Sequence, residues 1–322
     1  VAGPEFLPPA GVGEFCLALR LERLSPEERD RLTWLFDRLC PLPPSPQAVS
    51  TVVEHVTSSQ AQVEEVAHLA DAPLGLCLMN EASARLAGRP VRSVLDAVKI
   101  LGLTNIEAAA RKALAAGGQL PSSGNPRGHW LYSRLAGVVA AILGRATAEE
   151  KMDQLHTAGM LLHLGKLVMA QCLPEESARV QALRREKAGP SWEAEREVLG
   201  LDHGQIGAAA AFAWAAPAII CQAIWHHHQA QPAQRDRNWE FSAIVAAAAR
   251  VTDAVALPEE KVLARLFVQR RRMALALHHG VPEPAEIWAD PDDWAGLFQQ
   301  RLETAEKRLG QSLIRAFGAR GS

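Results

Sequence analysis

An all-α fold is predicted by three features of the sequence. Apolar residues recur at steps of three and four nearly everywhere, as in Val49, Val52, Val53 and Val56 and again in Val63, Val66, Ala67 and Ala70, which is the spacing of one helix face. Period-two runs rich in Val, Thr and Tyr are missing. Helix-start signals punctuate the chain. Thr104-x-x-Glu107 has the capping-box form, Ser93-x-x-Asp96 is a looser version, and Asp202-x-x-Gln205 sets an acid three residues before a reciprocating amide.

Taken in order, residues 1–6 lack an initiator Met and any periodic pattern, read as a truncation point, and are left out of the fold. Residues 25–40 form one helix in an N-terminal segment (1–40), ended by Pro41, Pro43, Pro44 and Pro46. A front bundle of short helices follows over 41–116. Gly, Pro, Ser and Asn then gather over 117–126 and mark a subdomain boundary. The back bundle spans 127–256, with a polar loop over 229–238 between a helix ending at His228 and one starting near Trp239. Residues 257–322 are a C-terminal helical extension. Its last helix carries one apolar stripe of Trp294, Leu297, Phe298, Leu302, Ala305, Leu309 and Leu313, expected to dock on the body. Helices beside the boundary are apolar over a wide arc, so the two bundles are expected to pack together.

Composition narrows the function. At 322 residues, and about 150 per domain, the chain holds one large or two modest domains. Its 34 Lys+Arg against 36 Asp+Glu leave a net charge of −2, so no global field favours nucleic acid or acidic lipid. Every apolar run is broken by a polar residue before the roughly 20 residues of a membrane span. No basic region followed by an apolar run opens the chain as a secretory leader would. Cys16, Cys40, Cys77, Cys172 and Cys221 are odd in number, far apart and without a CxxC pair. That argues against a disulfide framework or zinc ribbon and fits a reducing cytoplasm.

P-loop, GxSxG and HExxH signatures are absent. Histidines are the main chemical candidates: His226, His227 and His228 at a helix end, His203 at a helix start, and His163 before Leu164-Gly165-Lys166. Consecutive helical residues point about 100° apart, so one or two of the trio can face a common interior point. A helix end whose last carbonyls are partnered by His is one reading; a metal site is the other and needs remote partners. Glu193, Glu195 and Glu197 read as a solvated helix face, and Arg270, Arg271 and Arg272 as the wet side of another helix.

Over roughly residues 41–256 the chain resembles the HDOD domain, a bacterial signalling relative of the HD-superfamily phosphohydrolases. In the front half the resemblance rests on Leu42-Pro-Pro-Ser-Pro46, Asp71-Ala-Pro73-Leu74, Leu78-Met-Asn80 and Val94-Leu-Asp-Ala-Val-Lys-Ile-Leu-Gly102-Leu-Thr-Asn-Ile106. In the back half it rests on Gly159-Met-Leu-Leu-His-Leu-Gly165-Lys166, Glu195-Arg-Glu-Val-Leu-Gly-Leu-Asp202-His203-Gly-Gln-Ile-Gly207, Trp214, Pro217 and Ala223-Ile-Trp-His-His-His228. It implies a two-subdomain, HD-like helical bundle.

In catalytic HD enzymes, the resemblance implies, a first His, a His-Asp pair and a later Asp ligate divalent metal. Aligned on Gly165-Lys166, the pair falls on Leu162 and His163. Tyr132 stands at the first His, with His129 one turn away, and Arg250 at the later Asp. A guanidinium cannot ligate a cation, and hydrolysis of this type needs the cation to make hydroxide and bind the developing charge. The expectation is a non-catalytic signalling module that acts through partner proteins, with no cofactor, no metal, no nucleic acid and no membrane. The alternative is a residual phosphohydrolase or a cyclic-dinucleotide receptor using Lys166, Arg250 and the histidines. His163, His203 and His227 or His228 also have the makings of a nitrogen site for a softer cation such as zinc.

Overall fold

The computed structural model describes residues 11–21, 24–116, 126–147, 149–187, 190–228 and 238–255. The C-terminal extension, the Arg270–Arg272 triplet and nearly all of the boundary and loop segments predicted over 117–126 and 229–238 lie outside the described residues. Among those described there are fifteen α-helices and no strand. None of these helices is long and apolar enough to cross a membrane.

Two helices, α1 (Val12–Ala18) and α2 (Pro26–Phe36), precede the proline stretch where the sequence reading has one. The start of α2 is a full capping box: Ser25 Oγ accepts from the Glu28 N–H at 3.2 Å, and the Glu28 carboxylate accepts from the Ser25 N–H at 2.8 Å. The end of α2 falls at Phe36, short of Cys40. Seven residues are too few for a stable isolated helix, so α1 depends on tertiary packing. Its Phe15 is wholly buried, with ring centroids 5.6 Å from Phe36, 5.4 Å from Phe212 and 5.6 Å from Trp225. Helix α1 is thus docked on the back bundle.

The front bundle contains α3 (Pro46–Val56), α4 (Val63–Leu69), α5 (Ala72–Arg85), α6 (Val94–Leu101) and α7 (Leu103–Ala116). Asp71 ties two helix starts together. One carboxylate oxygen caps α5 by accepting from the Leu74 N–H at 2.9 Å, and the other accepts from the Ser45 N–H at 2.6 Å at the start of α3. Burial pushes the Asp71 carboxyl up to about 6, against these hydrogen bonds. Ser93 caps α6 as its motif predicts. The Thr104 signal is displaced: α7 already begins at Leu103, and the break before it is Gly102, whose φ of 72° suits glycine.

The back bundle contains α8 (Pro126–Thr147), a 3₁₀ turn (Glu149–Lys151), α9 (Met152–Leu161), α10 (Leu164–Cys172), α11 (Pro174–Glu186), α12 (Ser191–Leu199), α13 (His203–Ala213), α14 (Ala218–His226) and α15 (Trp239–Val255). One apolar core runs through both bundles, from Val52, Leu74 and Val98 to Met160, Leu161, Ile206 and Ile224. Polar contacts cross the same seam. The Val94 N–H donates to Thr157 Oγ1 at 3.0 Å, Arg134 Nε donates to the His68 carbonyl at 3.1 Å, and His68 Nδ1 meets His156 Nε2 at 2.9 Å. A continuous core with buried polar ties leaves no hinge between the halves.

Candidate functional site

Six helices bring the candidate residues to one place. The α9–α10 corner supplies Leu162, His163 and Lys166; α13 begins with His203; α14 delivers His227 and His228 just past its end; α8 contributes Tyr132; and α15 carries Arg250. Local chemistry sets these positions. Asp202 accepts from the Gln205 N–H at 3.0 Å while Gln205 Oε1 accepts from the Asp202 N–H at 3.0 Å, the predicted capping box. The Arg196 guanidinium places two donors on the other Asp202 oxygen, at 2.9 and 2.6 Å. Upstream, Gly200 adopts φ +72°, which closes α12 tightly and folds it back beneath the start of α13.

His163, His203 and His227 are all buried, and one ring nitrogen from each lies within 4.8 Å of the others. Among the described residues no other group of three or more His, Cys, Asp or Glu side chains is arranged to hold a metal ion. Rings fill the space. Tyr132 stacks on His163 at 4.0 Å and 11°, His163 meets His203 edge-on at 4.9 Å, and His227 and His228 lie 3.8 Å apart. Helix α14 ends at His226, and both reach the cluster from the turn that follows it.

Hydrogen bonds assign the ring protons. The Glu195 carboxylate accepts from both the backbone N–H and the Nδ1–H of His203, each at 2.7 Å, which leaves His203 Nε2 with a lone pair. His228 Nε2 lies 3.0 Å from that atom and so carries the donated proton. His227 Nδ1 donates to the Ile224 carbonyl at 2.6 Å, turning its own Nε2 into an acceptor. Lys166 Nζ donates to His163 Nδ1 at 3.3 Å. Burial, then the Lys166 charge, holds His203 well below the ordinary imidazole range. His228 is lowered by burial and by the charges of neighbours that include Lys166 and Arg250. Burial pushes Glu195 up, opposed by the His203 N–H and the Lys166 charge.

Glu195 corrects the sequence reading. Glu193 and Glu197 are exposed as expected, but Glu195 is only 2% exposed and orients the central histidine. The available signal is its place one turn before Leu199 and beside Ala194, both buried on the same helix. Removing the carboxylate strands two buried donors, so Glu195→Ala is expected to cost about 2–3 kcal/mol, with Glu195→Gln milder; urea unfolding measures both.

Leu162, His163, Tyr132 and Arg250 all lie around the cluster. Leu162 is fully buried at the end of α9, and His163 sits at the start of α10. Tyr132 covers His163 and donates its hydroxyl to the Ala249 carbonyl at 3.4 Å. Arg250 stands half-buried one residue further on.

Comparison with known proteins agrees with this geometry. The MmoQ response regulator of Methylococcus capsulatus is 23% identical, with a TM-score of 0.59 over 78% of this chain and 99% of that one. A virulence factor (cj0248) of Campylobacter jejuni is 17% identical, with a TM-score of 0.59 over 80% of this chain and 96% of that one. An HDOD domain protein of Geobacter sulfurreducens is 22% identical, with a TM-score of 0.50 over 89% and 98%. An uncharacterized protein of Treponema pallidum (strain Nichols) is 23% identical over 201 residues, 60% of this chain. The match spans 39% of that relative's length. The HDOD domain family itself matches residues 42–230, the span that runs from α3 through α14 and contains the histidine cluster, and the chain belongs to the HDOD family.

Proposed function

We propose that this HDOD protein is a non-catalytic signal-transduction module, acting by binding other proteins. The observation that carries the proposal is the content of the pocket where an HD centre would stand. A buried Leu162 and a ring-stacked His163 occupy the pair position, the Lys166 ammonium touches His163, and Arg250 adds a second positive charge. Metal-assisted phosphodiester hydrolysis asks for hard oxygen ligands and an open position for water. Glu195 is the carboxylate at the cluster, and it is engaged by two donors of His203 and by the Ser191 side chain. A family relationship to a protein called a response regulator supports a signalling role.

The expected result is no phosphodiesterase turnover above blank with manganese, iron or magnesium on cyclic dinucleotides or aryl phosphates. Metal-dependent turnover abolished by His203→Ala would overturn the proposal.

A second reading is favoured by one observation, the convergence of three ring nitrogens within 4.8 Å with a carboxylate behind His203. That is the ligand and outer-shell pattern of a zinc site. Three protein nitrogens would leave the fourth position of such a site to water. Zinc retained through dialysis at one per chain and lost in His203→Ala would establish it.

A further inference from the structure

We propose that Cys40 and Cys172 form a reversible disulfide, made by exchange with a small-molecule disulfide such as oxidised glutathione, that fastens the N-terminal helices to the back bundle. The two residues are 132 positions apart, yet their sulfurs lie 2.6 Å from one another. That is well inside the contact distance of unbonded heavy atoms and about 0.6 Å beyond a disulfide bond of about 2.05 Å. The approach is built by backbone as well as side chains. The Cys40 N–H donates to Cys172 Sγ at 3.3 Å, and Cys172 Sγ lies 3.6 Å from the Cys40 carbonyl. Cys172 is the last residue of α10, and Cys40 immediately precedes Pro41, so both ends are held by neighbouring structure.

Thiol acidity singles out Cys40 as the attacker, while the hydrogen bond to Cys40 and then burial push Cys172 up. Both residues are part-exposed, whereas Cys221 is buried. The hydrogen bond from Cys172 lowers the Cys40 thiol, while burial raises those of Cys16, Cys221 and Cys77, the last to about 12. Cys40 is therefore the attacking thiolate. Its sulfur forms a bond to one glutathione sulfur, the glutathione disulfide breaks, and one glutathione thiolate leaves. Cys172 gives its proton to solvent and attacks Cys40 Sγ, releasing the second glutathione. The protein loses two electrons and two protons, and one glutathione disulfide becomes two thiols.

The cross-link closes over the part of the fold that holds the histidines. Phe15 of α1 packs on Phe212 of α13 and Trp225 of α14, and Arg31 Nη1 of α2 donates to the Leu199 carbonyl at 2.8 Å at the end of α12. Those three helices supply or abut Glu195, His203, His227 and His228. Oxidation would lock this cover; reduction would leave it held by packing alone.

The test is equilibration of the full chain with oxidised or reduced glutathione, followed by thiol counting in denaturant and peptide mapping. Five thiols are expected after reduction and three after oxidation, with one peptide joining Cys40 to Cys172. The oxidised form is expected to melt roughly 5–15 °C higher. Cys40→Ser should abolish the shift, and Cys16→Ser should keep it. Where a variant fails to fold, mapping on the unsubstituted chain decides. Five thiols after oxidation, glutathione adducts without a cross-link, or a bond through any other pair would overturn the proposal.

Discussion

Gly165→Ala is expected to lower the unfolding free energy by about 4 kcal/mol or more, at the upper end of overpacking effects. Gly165 lies on α10 where that helix crosses α13 backbone to backbone. A methyl group there would run into the His203 carbonyl oxygen and would lie 2.7 Å from the His203 carbonyl carbon and 2.8 Å from the Gly207 nitrogen. These are main-chain atoms of a buried helix, so no side chain can swing away. The helices must separate, and His203 moves with its backbone away from Glu195 and His228. Gly13→Ala is the control, because nothing lies within 4 Å of its new methyl; it should leave stability unchanged or raise it by up to about 1 kcal/mol. Urea unfolding of both variants checks the pair. A Gly165→Ala loss below about 1 kcal/mol would mean that α10 and α13 do not meet as described.

Mild acid is expected to destabilise the protein sharply. Burial, then the Arg134 charge, lowers His68 to about 4, and its hydrogen-bonded partner His156 lies well below the ordinary range for the same causes and for the nearness of His68 itself. In the unfolded chain both titrate near 6.5. Below that pH the unfolded chain takes up protons that the fold refuses, so stability falls as pH drops from about 6.5 toward 4. His68 alone contributes a loss of about 3 kcal/mol across that window. Asp71, raised to about 6, works in the opposite sense, since the fold keeps its proton between about 6 and 4 while the unfolded chain ionises; Glu195 opposes likewise. Burial raises Asp153 as well, and four lowered imidazoles, at His68, His156, His203 and His228, outnumber the three raised carboxyls. The melting temperature should therefore fall by roughly 10 °C between pH 7 and pH 5. A flat or rising profile would contradict the buried neutral histidines.

What was legible in the sequence was local or periodic. The Asp202–Gln205 and Ser93 caps are written within four residues, and the three- and four-residue apolar steps carry the helices, so both emerge where expected. Leu162 and His163 stand out by their distance from Gly165-Lys166, and Arg250 by the string Ala249-Arg-Val-Thr-Asp-Ala254. The missed features depend on docking. Glu195 differs from Glu193 and Glu197 only in which side of α12 meets α13. Cys40 and Cys172 look unrelated until the fold carries the chain's proline stretch to the end of α10. The short helix α1 owes its order to Phe15 reaching rings nearly 200 residues away, at Phe212 and beyond. Thr104 illustrates the reverse case, a sound local signal overruled because Gly102 breaks the chain one residue before the helix begins.

The central claim is that the HD centre has lost its hard-metal site. Manganese binding to the purified full chain tests it most directly, by following free manganese with its paramagnetic resonance signal during a titration at neutral pH. The expected result is no saturable binding that depends on the cluster, with the same isotherm for the unsubstituted chain and for His203→Ala. Binding of one or two manganese ions per chain that disappears in His203→Ala would contradict the loss of the site and restore the hydrolytic reading.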